Sequence, residues 1–152
     1  MSQIIGYDAT GVYTLRRVIQ RKNGFTSQSD IILEHYDKGL SLTKSLEIQL
    51  KGPKKKRNYE YATQLGGEIY LFSSSQDMSS KQMILFVQKI DKKTLQLKGE
   101  KRIAQVSSLK KDLFKRGSFQ ITISKNSSKV LILGNPTFEK DKNEKFTLSV
   151  FD

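Results

Sequence analysis

The sequence contains no cysteine, which excludes disulfides and thiolate metal sites. Its one histidine, His35, cannot build a multi-histidine centre. No apolar run approaches the roughly 18 residues of a membrane-spanning helix. The opening MSQIIGYD has neither the basic region nor the apolar stretch of a secretory signal. A complete chain with this beginning is expected in the cytoplasm; a piece of a longer precursor would be periplasmic or exported. Catalytic signatures are also missing. There is no G-x-S-x-G, no Walker loop and no acid pair with an obvious partner. The acidic run EKDKNE (139–144) has too few spaced oxygens for an EF-hand and lacks its glycine. The expectation is a chain without cofactor, metal or enzymatic activity of its own.

What is abundant is positive charge. The 152 residues, enough for one domain with a sizeable core, carry a net charge of +12. A basic surface attracts polyanions, but 21 of the 27 basic residues are lysine and six are arginine. Readers of bases and phosphates favour the planar arginine fork, and these lysines alternate with Asp, Glu and Ser. Nucleic acid is therefore a disfavoured partner. The densest cluster is KGPKKKR (51–57), where Lys51, Lys54, Lys55, Lys56 and Arg57 form a candidate polyanion site. The alternative, a solvated connection between two units, is the preferred reading. A second basic concentration (97–117) includes Phe114, which is expected to anchor to the core rather than to stack on a base.

Apolar residues recur with period two, the mark of β-strands. FQITIS (119–124) alternates, KVLILG (129–134) is apolar on both faces, and KNSS between them reads as a hairpin turn. Strands are expected near residues 3–7, 12–20, 30–37, 45–50, 58–64, 68–73, 82–90, 98–106, 118–124, 129–134 and 145–151. The stretch SSLKKDLFKRG (107–117) has room for a helical turn or two, stopped by Gly117. Expected core positions are Leu33, Ile69, Leu71, Ile84, Phe86, Phe119, Ile121, Val130, Ile132 and Leu148. His35 is expected at a surface or partly covered position rather than as a catalytic base.

Three pentads share one pattern: LEHYD (33–37), VQKID (87–91) and LSVFD (148–152). Each runs apolar, two variable residues, apolar or aromatic, then Asp. The terminal residues Asp37, Asp91 and Asp152 stand 54 and 61 positions apart. An Asp at a strand end accepts hydrogen bonds from backbone amides two residues on, closing an Asx-turn. All three are assigned that structural role. Around the pentads a larger order returns: strand, tight turn, buried strand, polar loop, strand ending in the pentad, then an amphipathic outer strand. Such self-similarity signals repeat architecture.

Four-stranded units in this order, with buried second and third strands, resemble blades of a β-propeller, nearest to the loosely patterned WD40-like or TolB-like propellers of bacteria. The resemblance spans nearly the whole chain and is architectural; there is no Trp, hence no WD dipeptide. It implies an all-β fold of consecutive antiparallel four-stranded meanders, with a β-sandwich or barrel as the alternative. Residues 1–152 then form one domain with units near 3–50, 58–106 and 118–152, the last without its outer strand. About three blades fall short of the roughly four to eight that close a ring, so a fragment or truncated relative of a longer propeller is expected. The function expected from the resemblance is a non-catalytic interaction or scaffolding module whose partner is a protein or a cell-surface ligand. The alternatives are a basic nucleic-acid-binding domain, or part of a propeller enzyme whose site lies outside this chain. Open edges are expected to promote self-association, with Phe146, Leu148 and Val150 along the last one.

Overall fold

A computed structural model describes residues 2–18, 21–22, 25–26, 30–50, 57–108, 117–137 and 146–151, with backbone alone at 21–22, 25–26 and 30. The described chain is all β and antiparallel. The first sheet joins β1 (Ser2–Asp8), β2 (Gly11–Val18), β5 (Asp30–Asp37) and β6 (Leu42–Ile48) in that order. A ribbon of β3 (Arg21–Lys22) and β4 (Phe25–Thr26) is inserted in the connection between β2 and β5, where the sequence reading placed only a loop. The second sheet is the meander β7 (Asn58–Leu65), β8 (Glu68–Asp77), β9 (Gln82–Ile90) and β10 (Leu97–Ser107). The third has β11 (Ser118–Ile123), β12 (Val130–Asn135) and β13 (Thr147–Phe151). Among the described residues no sheet closes into a barrel.

The three sheets stack in chain order, and the second is covered on both faces. One core joins Leu15, Ile31 and Leu33 of the first sheet to Ala62, Ile69, Leu71 and Ile90 of the second. The other joins Phe72 and Leu85 of the second to Val130 and Ile132 of the third. This is why EIYLFSS reads as apolar on both faces: successive side chains of β8 enter opposite cores. The sheets also need close approach. A Cβ built on Gly6 would lie 3.0 Å from Ile69 across the first seam, and one on Gly134 would lie 2.5 Å from Val106 across the second. Side-chain ties add to the first seam: the Tyr59 hydroxyl donates to Gln3 Oε1 at 3.1 Å, and the Tyr7 amide donates to Gln64 Oε1 at 2.9 Å.

The two described pentad turns are built alike. Asp37 Oδ1 accepts the amides of Gly39 and Ser41, each at 2.9 Å. Asp91 Oδ1 accepts those of Lys93 at 3.0 Å and Thr94 at 2.8 Å. Each turn then places a leucine at positive φ, Leu40 at 60° and Leu95 at 61°. The same device closes two turns outside the pentads, where Asp8 binds the Thr10 amide and Asp77 binds the Ser79 amide. Asp152 lies outside the described residues.

The expected core positions Leu33, Ile69, Leu71, Ile84, Val130 and Ile132 are buried. Phe119 and Ile121 are half-buried against the second core, and Phe86 is half-buried. Leu148 must be corrected: it is 64% exposed. Pairing sets Ser149 opposite Ile132 and Phe151 opposite Val130, so Leu148 and Val150 point to the other face, which no sheet covers among the described residues.

One buried group runs against the packing logic. Ser73, fully buried in β8, has no hydrogen-bond partner for its hydroxyl among the described residues. An unsatisfied buried hydroxyl costs free energy. Ser73→Ala is therefore expected to raise stability by about 1 kcal/mol, read as a higher denaturant midpoint at unchanged slope. A loss of stability would show that the hydroxyl is satisfied.

Candidate functional site

Among the described residues, exposed large hydrophobic side chains gather on the two outer sheet faces. On the third sheet, Phe146, Leu148 and Val150 are exposed; Leu148 and Val150 pair with Leu133 and Leu131 of β12 on the same face. On the first sheet, a row across the strands runs Tyr7, Val12, Tyr36, Leu42, with Tyr7 and Leu42 exposed, as is Ile4 nearby. The next row holds a polar centre. Glu34 is buried and accepts from Arg16 at 3.0 Å and from the Thr14 and Tyr36 hydroxyls at 3.3 Å each. Its charge is thus fully engaged within the sheet.

Of the candidate polyanion residues, Lys51, Lys54, Lys55 and Lys56 lie outside the described residues. Arg57 is described, and it is 2% exposed. Its guanidinium makes two parallel bonds to Glu100, at 2.7 and 2.8 Å, and sits 3.7 Å over the Phe86 ring. A cation committed to a carboxylate fork and an aromatic face is not presented to a phosphate. Arg57 pins the start of β7 to β10. Phe114 and most of the stretch 107–117 also fall outside the described residues, as does EKDKNE.

A polar cluster at the turn end of the first sheet was not anticipated from the sequence. Thr10 donates its hydroxyl proton to Asp8 at 2.6 Å and lies 3.1 Å from His35 Nε2, while His35 Nδ1 is 2.6 Å from the Thr43 hydroxyl. The His35 ring stacks on Tyr13 with centroids 4.5 Å apart. Lys92 reaches across from the second sheet to Asp8 at 3.1 Å. The Thr10 hydroxyl and amide, aided by Lys92, hold the Asp8 carboxyl well below its ordinary value despite some burial. An Asp, a Thr and a His in mutual contact invite a catalytic reading. However, the Thr10 proton is directed at the carboxylate rather than at the imidazole, so no base faces a nucleophile. The cluster joins two sheets. The only local hint in the sequence is the Asp-x-Thr of DATG; His35, Thr43 and Lys92 are remote.

Open crevices also lie among the described residues. One of about 500 Å³ lies between the second and third sheets, lined by Tyr70, Phe72, Val87, Ile103 and Phe151, with Glu68 and Lys101 at its polar parts. Another, about 640 Å³, is lined by Tyr7, Gln64, Gly67 and Asn126, so elements of all three sheets converge there. Among the described residues no group of His, Cys, Asp and Glu is arranged to hold a metal, and no helix is long and apolar enough to cross a membrane.

Tyr59 gives the first seam a pH dependence. Burial pushes its phenol up to about 12 from 10.0, with Arg17 opposing and Tyr61 reinforcing the shift. The folded phenol keeps its proton where the unfolded one has lost it. Its contribution is therefore complete below 10.0 and is lost as pH rises towards about 12. Tyr59→Phe should flatten that alkaline decline, measured as denaturant midpoints across the window; an unchanged slope would assign the decline to other groups.

No family model matches the chain, and neither a curated protein nor a solved structure matches it.

Proposed function

We propose that the chain is a non-catalytic interaction module made of three consecutive WD40-like or TolB-like β-propeller blades. Its two outer sheet faces, on this reading, are seats for further β-sheet. One observation carries it: the middle sheet is covered on both faces by its sequence neighbours, while among the described residues the outer faces of the first and third sheets leave Tyr7, Leu42, Leu148 and Val150 exposed. Sheet-on-sheet packing in chain order, with β1, β7 and the β11–β12 turn lining one crevice, supports blades better than a two-layer sandwich. In a longer propeller the same faces would be covered by further blades. Fold alone does not fix function, so the reading rests on these faces.

The rival reading, a basic nucleic-acid binder, loses Arg57 to Glu100. Binding to unrelated double-stranded DNA at about 0.15 M salt, with competitor, separates the two, because purely electrostatic binding falls steeply with salt. The module reading expects no retained binding. Retention that survives competitor would overturn it.

A further inference from the structure

Residues of the pentads fall into a fixed relation to the seams. The first residue of a pentad faces the following sheet, and the fourth faces the preceding one. Leu33 of the first pentad and Ile90 of the second meet in the core between sheets one and two. Val87 of the second and Phe151 of the third meet in the core between sheets two and three. Two halves are left over: Leu148, the first residue of the last pentad, and Tyr36, the fourth of the first. The turn leucines follow the same rule. Leu95 is 1% exposed within the first seam, whereas Leu40, its counterpart in the first sheet, is 72% exposed.

We infer that the outer face of the third sheet packs on the outer face of the first sheet in a second copy of this chain, closing a head-to-tail pair with two identical seams. The inference rests on the three-blade reading and names the occupant of its open faces. The occupant follows from where the apolar surface lies. Among the described residues the exposed large hydrophobics are Ile4, Tyr7, Leu40 and Leu42 at one end of the stack and Phe146, Leu148 and Val150 at the other. None belongs to the middle sheet. Each copy offers one face of each kind, so a single pairing covers all four, and a heterologous contact that closes gives a ring rather than a filament. Two copies bring six sheets, within the roughly four to eight blades of closed propellers.

Electrostatics permit the contact. β11, β12 and β13 contain no charged residue, although the chain is 28% charged. By contrast, the edge strand β10 carries Lys98, Glu100, Lys101 and Arg102, the usual defence of an exposed edge. On the receiving face Glu34 is already satisfied by Arg16, Thr14 and Tyr36, so covering it strands no bare carboxylate; Glu47, opposite Ile32 on the same face, is exposed and has to stay at the wet rim of the contact. The net charge of +12 opposes approach, and added salt should favour pairing by screening it.

Sedimentation of the 17.4 kDa chain across a salt series is expected to give a dimer. Leu148→Lys and Leu40→Glu alter exposed side chains at opposite ends, and each should weaken the dimer at least about tenfold. An equimolar mixture of the two variants should dimerise again, since one of its two seams is wild type on both sides. A wild-type monomer at every salt, or open-ended polymers, would overturn the closed pair. So would a dimer sensitive to Leu148→Lys but indifferent to Leu40→Glu, which marks pairing through β13 edges. Amide exchange in the same samples keeps the two readings apart. A monomer with slow exchange along β8 removes the pairing and leaves the three-sheet module, whereas fast exchange along β8 removes the module.

Discussion

Gly11→Ala is expected to cost more than alanine at any other described glycine, about 3 kcal/mol or more. Gly11 opens β2 at φ 148°, a conformation that side-chain-bearing residues rarely adopt. Space is the harsher constraint. A Cβ at this position would fall 1.9 Å from the Tyr36 carbonyl oxygen and 2.9 Å from the Asp37 Cα. Both obstacles are backbone, so no rotamer change relieves them. The β2–β5 pair must separate where Gly11 faces Asp37, and the Asx-turn at Asp37 is disturbed with it. Gly66→Ala is the control: its φ is also positive, at 54°, but nothing lies within 4 Å of the added carbon, and the cost should be about 1 kcal/mol. Chemical denaturation of both variants checks the contrast. Equal losses would mean that backbone conformation alone, not contact with β5, governs Gly11.

Leu71→Ala and Leu85→Ala should each cost about 2 to 5 kcal/mol, and each should weaken a different seam. Both leucines are fully buried in the middle sheet. Leu71 packs towards the first sheet and Leu85 towards the third. Native-state amide exchange can read the two losses separately, because local opening reports on the unit that has been loosened. Leu85→Ala should speed exchange in β11 and β12 more than in β2 and β5, and Leu71→Ala should do the reverse. If both variants speed all strands equally, the stack unfolds as one unit and the two cores are not energetically distinct.

Strand positions were legible in the sequence because alternation is local: a few residues suffice to show period two. The middle unit was the most transparent, since a strand covered on both sides loses its alternation, as EIYLFSS does. The turns at Asp37 and Asp91 were legible for the same reason, an Asp followed by two or three polar residues. What escaped was everything set by remote partners. Arg57 sits at the end of a basic run and reads as part of it; only Glu100, 43 positions on, and Phe86 turn it into a buried anchor. His35 meets Thr10 across 25 positions. Leu148 was misplaced differently. Its alternation was read correctly, but a strand's sequence does not state whether a neighbouring sheet lies on the side it faces.

The order of the stack also governs how the chain behaves while it is being made. The second sheet is synthesised with one apolar face able to dock at once on the finished first sheet. Its other face, with Phe72, Leu85 and Val87, waits for residues 118–151 to leave the ribosome. At roughly 5 to 20 residues per second that interval is a few seconds. During it the nascent chain shows a strip of alternating aromatic and aliphatic side chains on well-formed strands, the kind of surface that chaperones bind and that aggregates recruit. Slower decoding between β10 and β12 should therefore lower the yield of folded protein without changing its stability once made.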